Sequence, residues 1–236
     1  MLFNAKVLSI AENGGLTTGN TKVIFLHIPK TAGTSIEESL KKTLGNSYGR
    51  HYNIRQIQKT LNDDGYGETV DEYKIFTVVR NPFDRIISTW RWWSFHQDGW
   101  ITRPFQKSTA PFTSFYHYVR MIKSYYDGDF EFTGPDLNKI KVVEDLAPLT
   151  QSHIERLDWW LSRDDGTTVE CDFLKFENLK NEWDRYKEVL NVTRFLPHKN
   201  GSSTIPFSKS RSLYNDESHG IVSEIYKDEI ERFDYE

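Results

Sequence analysis

Three short apolar runs punctuate the chain, Val23-Ile24-Phe25-Leu26, Lys74-Ile75-Phe76-Thr77-Val78-Val79 and Cys171-Asp172-Phe173-Leu174-Lys175-Phe176. The first two are near-continuous and rich in β-branched and aromatic residues, the pattern of strands buried on both faces. Between the runs the period lengthens. Ile36, Leu40 and Leu44 recur at helical spacing before Gly45, and Ile54, Ile57 and Leu61 form a second amphipathic face. Asp63-Asp64-Gly65-Tyr66-Gly67 reads as a turn. A helix from Pro82 runs through Ile86, Ile87, Trp90 and Trp93, a loop over 98–111 carries Gly99, Pro104 and Pro111, and residues 112–126 read as a helix with an aromatic face. A helix over Glu177–Leu190 follows the third strand, and a closing helix from about Asn215 to Phe233 spaces Ile221, Ile225 and Ile230 for packing. Strands alternating with helices predict an α/β fold, a central parallel β-sheet flanked by helices on both faces, with ligands at the strand carboxyl ends. At 236 residues the chain suits one domain, 1–236.

Candidate chemistry sits where the first two strands end. His27-Ile28-Pro29-Lys30-Thr31-Ala32-Gly33-Thr34-Ser35 links a strand to a helix N-terminus rich in hydroxyls. The first N–H groups of a helix lack intrahelical partners, and the dipole there favours negative charge, so this is an anion cradle. Lys30 adds a mobile point charge. In the common phosphate loop, Gly-x-x-x-x-Gly-Lys-Ser/Thr, Lys follows the second Gly; here Lys comes first, after Pro29.

A second anion site is expected after the second strand, at Arg80-Asn81-Pro82-Phe83-Asp84-Arg85-Ile86-Ile87-Ser88. Asn81 suits an N-cap, Pro82 the first helical position and Asp84 the acid of a capping box. On the plainest reading this is a well-made helix start with Arg85 solvated. That leaves Arg80, at the end of a buried strand, and Ser88 unexplained. Ser88 returns to the face of Asn81 roughly 10 Å along the axis, within reach of a long, bidentate Arg meeting it at a phosphate.

The Lys-first loop with this second motif resembles the sulfotransferases that use 3′-phosphoadenosine 5′-phosphosulfate (PAPS), especially the Golgi carbohydrate type. Phe176-Glu177-Asn178-Leu179, Leu196-Pro197-His198-Lys199-Asn200, Tyr226-Lys227-Asp228-Glu229-Ile230 and Phe233-Asp234-Tyr235 extend the resemblance from about residue 22 to the end. It implies a P-loop-like sulfotransferase fold with residues 22–97 as PAPS-binding core, 98–140 as a variable segment that could bind acceptor, and 171–236 as the C-terminal strand and helices. It implies that Pro29, Lys30, Thr31, Ala32, Gly33, Thr34 and Ser35 hold the 5′-phosphosulfate, that Arg80 and Ser88 hold the 3′-phosphate, and that 3′-phosphoadenosine 5′-phosphate (PAP) is the product, without a metal. Lys199, with Asn200 and Ser202, would close over the nucleotide, unless that stretch is an ordinary polar turn. His51, in Gly49-Arg50-His51-Tyr52, stands where many similar carbohydrate enzymes carry their base, and a histidine's pKa suits proton transfer near neutrality. His27 and His198 read as loop-holding residues; His96, His117 and His153 have no motif behind them.

Composition narrows the partners. A formal charge of −4 and a pI near 6.0 give no global field for nucleic acid or membrane. Cys171 is the only cysteine, so no internal disulfide can form. The start of the chain shows no apolar run long enough for a signal or a span, unlike the Golgi enzymes, so a cytoplasmic enzyme is expected and the sequons at Asn191 and Asn200 carry no weight. Asp63-Asp64 and Asp164-Asp165 each adjoin Gly and read as turns, not metal ligands. The segment from Trp90 to Phe132 holds 14 of the chain's 34 aromatic residues, with Arg91, Arg103, Lys107, Arg120 and Lys123 interleaved. Trp90, Trp93, Phe115 and Tyr118 are spaced for a core, whereas Trp92, Trp100 and Phe105 could stack on sugar rings of a glycan or other small-molecule acceptor. The alternatives are a nucleotide kinase-like P-loop enzyme, against which the Lys-first loop argues, and a nucleotide-binding protein without catalysis.

Overall fold

The computed structural model describes residues 22–44, 51–65, 67–95, 114–129, 131–133, 139–141, 152–190, 192, 195–197 and 211–236. Along the chain run β1 (Val23–Leu26), α1 (Gly33–Leu44), α2 (Ile54–Asp63), β2 (Lys74–Val79), α3 (Pro82–Phe95), α4 (Phe115–Tyr126), β3 (Glu131–Thr133), β4 (Lys139–Lys141), α5 (Leu157–Leu161), β5 (Asp172–Lys175), α6 (Leu179–Val189), α7 (Asp216–Ile225) and α8 (Lys227–Phe233). They fall into two compact units, Met1–Arg80 with Leu157–Gly201, and Asn81–Arg156 with Ser202–Glu236.

The first unit is built on a parallel sheet in the order β1-β2-β5, so the α/β class expected from the alternating periods holds. Phe76 and Val78 of β2 pack with Ile36 and Leu40 of α1 and with Leu179 and Trp183 of α6. Ile75, Thr77 and Val79 point to the other side of the strand and are buried as well. This explains why β2 reads as an unbroken apolar run, since a parallel strand covered on both sides has no polar face. Leu26 pairs with Thr77, which brings the chain leaving β1 to the same sheet edge as the end of β2. Asn53 caps α2 through a reciprocal box with Gln56.

The second unit packs Phe83, Ile86, Ile87 and Trp90 of α3 against Phe115, Tyr118, Val119 and Ile122 of α4, with Ile221 and Val222 of α7. Trp90, Phe115 and Tyr118 therefore serve the core, as their spacing suggested. The unit also holds an antiparallel pair, β3 with β4. Neither that pair nor α5 was legible from periodicity, because each is too short to show one.

Three boundaries differ from expectation. Helix α1 opens at Gly33 rather than Ile36, since the Ser35 and Ile36 N–H groups both donate to the Ala32 carbonyl, at 2.9 and 3.3 Å. Residues Phe176–Asn178 form a tight 3₁₀ turn before α6. The expected closing helix is two helices broken at Tyr226 (φ −106°, ψ 23°). The Tyr226 ring is buried and its hydroxyl donates to the Ile154 carbonyl at 2.5 Å, a tertiary bond invisible to a local pattern.

Arg85 corrects a further reading. It is not solvated but 2 % exposed, with its Nη2 3.1 Å from the Glu155 carbonyl and 3.5 Å from the Glu229 carboxylate. Its guanidinium lies 5.1 Å from the centre of the Tyr226 ring. Burial is the largest influence and opposes the charge, but Glu229 together with Tyr226, Tyr126 and Tyr118 outweighs it and holds the Arg85 pKa above the usual arginine value. The expected N-cap is present, with Asn81 Oδ1 accepting the Phe83 N–H at 3.0 Å. Among the described residues no helix is long and apolar enough to cross a membrane.

The Arg85 site yields a stability prediction. Arg85→Met removes the arginine partner of the buried Glu229 carboxylate and is expected to cost about 3–5 kcal/mol in denaturant unfolding. Arg85→Met with Glu229→Leu should recover part of the loss; a single mutant as stable as wild type would mean that the pair is not buried in solution.

Candidate active site

The loop after β1 is held open by side chains. Lys30 and Ala32 both adopt left-handed backbone, at φ 66° and 68°, which costs a non-glycine residue about 1–2 kcal/mol. Their neighbours hold them there. Thr31 Oγ1 donates to the Ile28 carbonyl at 2.8 Å, and Arg80 Nη1 donates to the Lys30 carbonyl at 2.9 Å. Thr77 Oγ1 donates to the Leu26 carbonyl at 2.7 Å, closing the base of the loop against β2. Left-handed residues alternating with ordinary ones turn successive N–H groups into a concavity suited to an anion. Helix α1 begins at once, with no acidic residue in its first turn, so the dipole's positive end stays unopposed from within the helix.

Two cations border this concavity. The Lys30 pKa is pushed down to about 8, first by burial and then by the neighbouring Arg80. Arg80 is 6 % exposed and lays its guanidinium 4.2 Å from the centre of the Phe176 ring. Keeping two like charges together costs free energy that a bound anion would offset.

Behind the cradle stands a polar chain of three residues. His27 and Glu37 are both buried, with His27 Nδ1 2.7 Å from Glu37 Oε1. The other edge of the His27 ring lies against Gly33, where a Cβ would fall 2.0 Å from both Cδ2 and Nε2. Gly33 is therefore demanded by the close approach of this ring. His51 Nδ1 lies 3.1 Å from the His27 carbonyl, and the two rings meet edge to face with centroids 4.6 Å apart. A carbonyl oxygen only accepts, so His51 donates from Nδ1, and in the neutral form of the ring Nε2 is then the unprotonated nitrogen. His51 is itself left-handed, at φ 65°.

The sequence-predicted residues are thus placed as follows. Pro29, Lys30, Thr31, Ala32, Gly33, Thr34 and Ser35 form one loop and helix start, with Arg80 bonded to it and His51 joined through His27. Ser88 is buried on α3, in the second unit. Lys199, His198, Asn200, Ser202, His96, Trp100, Arg103, Phe105 and Lys107 lie outside the described residues. His117 and His153 belong to the second unit, on α4 and beside Ser152. Sequence reasoning missed Glu37, Thr77 and Phe176. Glu37 carried a usable signal, since it lies three residues before Leu40 on the side of α1 that is buried, where a carboxylate needs a partner. Among the described residues no cluster of three or more His, Cys, Asp or Glu is suited to a metal ion.

No curated protein and no solved structure matches the chain. The family model described as "Sulfotransferase family" matches residues 15–236, a span that runs through both units and includes the cradle, Arg80 and His51. The chain belongs to the sulfotransferase family.

Proposed function

We propose that this chain transfers the sulfuryl group of PAPS to a hydroxyl of a carbohydrate acceptor. The observation that carries the reading is the pairing of Lys30 with Arg80 at one strand-end loop of left-handed backbone, an arrangement fitted to a group more strongly anionic than a neutral substrate. PAPS supplies an electrophilic sulfur and a phosphate leaving group. The residues from Pro29 to Ser35 bind and orient its phosphosulfate through N–H groups, hydroxyls and the Lys30 ammonium. Lys30 stabilises the negative charge that grows on the bridging oxygen. Arg80 and Ser88 take the 3′-phosphate, following the family resemblance of their motif. His51 accepts the acceptor's hydroxyl proton at Nε2, its Nδ1–H held by the His27 carbonyl. The carbohydrate acceptor rests on the resemblance and on the aromatic and basic residues between Trp90 and Phe132.

PAP is expected to raise the melting temperature without magnesium, by about 2.7 kcal/mol of stability at a hundred times its dissociation constant. ADP and adenosine 5′-phosphosulfate, which lack the 3′-phosphate, should stabilise far less. Ser88→Ala should narrow the gap between PAP and ADP. Equal stabilisation by both nucleotides would rule out the proposed donor.

Lys30 makes affinity depend on pH. Its folded pKa lies below the ordinary lysine value, so the free protein loses the ammonium as pH rises through about 8. An anion binds the charged form, so PAP affinity should fall above that point by up to about tenfold per pH unit. Calorimetry between pH 7 and 9.5 measures the slope, and Lys30→Met should flatten it while weakening binding throughout.

The base is best tested with His51→Asn, because Asn tolerates left-handed backbone and can still donate to the His27 carbonyl. PAP affinity should stay near wild type while turnover falls by roughly 10²–10⁴. Normal turnover of a true acceptor would assign the base elsewhere.

A further inference from the structure

We propose that Glu37 is a positioning residue for the base, acting through His27; this rests on the reading of His51 as the proton acceptor. One residue contributes two contacts to the His51 ring: the His27 carbonyl accepts from its Nδ1, and the His27 ring meets it edge to face. His51 occupies left-handed backbone, a conformation that persists only when its surroundings hold it. His27 is in turn clamped from two sides. Glu37 Oε1 accepts from Nδ1 at 2.7 Å, and the opposite edge of the ring rests on Gly33 with no room for a methyl group. Phe25 stacks on the same ring, with centroids 5.7 Å apart and planes 24° from parallel.

The consequence is directional. A histidine's tautomer and orientation are set by the bond at its other nitrogen. Glu37 holds the His27 ring upright; the His27 ring and carbonyl then hold His51 with Nδ1–H inward and Nε2 free to take a proton. Glu37 stands on α1, the same helix whose N-terminus forms the cradle. The element that binds the donor's anionic end therefore also orients the base, which ties the two ends of an in-line transfer to one rigid body. Loss of Glu37 should affect proton transfer and leave the anion-binding loop in place, since Arg80 and Thr31 hold that loop independently.

The test compares Glu37→Gln, Glu37→Asp and wild type as full-length ¹⁵N-labelled proteins, by long-range ¹H–¹⁵N spectra of the histidine rings, PAP calorimetry and turnover. Wild type should show His51 protonated at Nδ1 and bare at Nε2. Glu37→Gln should keep PAP affinity, shift His51 toward a mixture of tautomers, and lower kcat by about 10- to 100-fold, by analogy with loss of the hydrogen-bond partner behind a metal-bound histidine. Glu37→Asp, which keeps the charge at shorter reach, should recover part of kcat. A folded Glu37→Gln protein with wild-type His51 signals and turnover overturns the proposal. Should the variants fail to fold, the wild-type spectrum decides, because a His51 ring bare at Nδ1 overturns it equally. Failure of wild type to bind PAP would instead sink the donor assignment, and the ring signals separate the two outcomes.

Discussion

The parallel pairing of β1 with β2 is the constraint on which the site depends. Leu26 lies opposite Thr77, so the chain leaving β1 and the chain leaving β2 emerge side by side at one sheet edge. Only then can the Thr77 hydroxyl reach the Leu26 carbonyl and the Arg80 guanidinium the Lys30 carbonyl. A slip of one residue would exchange the two faces of β2, turning Phe76 and Val78 away from α1 and α6 and putting Ile75, Thr77 and Val79 in their place. The hydrophobic register and the polar site are therefore specified together. Burial of the strand on both sides makes the slip costly, and the loop inherits that rigidity.

Rigidity at the loop has a cost, and the structure shows where it is offset. Left-handed backbone at Lys30, Ala32 and His51 opposes folding by something on the order of 1 kcal/mol at each position. Side-chain to backbone bonds from Thr31, Arg80 and His51 take up carbonyls that the tight turn would otherwise leave without partners. Strain of this kind, held by an over-determined surrounding, characterises sites that must be ready before the ligand arrives. The same holds for charge. Lys30 and Arg80 repel each other in the ligand-free protein, and the free energy so stored is available to an anion.

The two units treat buried arginine differently. Arg85, in the second unit, is met by the Glu229 carboxylate and the Glu155 carbonyl through Nη2, while its buried Nε makes no hydrogen bond. Arg80, in the first, bonds a loop carbonyl and covers an aromatic ring, with a like charge beside it. A guanidinium bonded to its own core serves stability. The proposed function gives the one beside a lysine a part in recognition, since a planar guanidinium suits a group with several oxygens.

The α/β class, the positions of β1, β2 and β5, and the Lys-first loop were legible in the sequence, because periodicity and turn chemistry are local properties of the chain. The cap at Asn81 was legible for the same reason. What the sequence could not carry was contact between distant positions. Arg85 reads as a surface charge at a helix start, and only the packing of α3 with Glu229 and Tyr226 buries it. The closing helix reads as continuous, and in the structure it breaks at Tyr226, whose hydroxyl is bonded to the distant Ile154 carbonyl. His51 was singled out by resemblance, but its bonded nitrogen was decided by the His27 carbonyl, and His27 by Glu37, ten residues along the chain. A side chain's protonation and direction depend on the low-dielectric neighbours that burial selects, and those neighbours exist only once the sheet has brought its strand ends together.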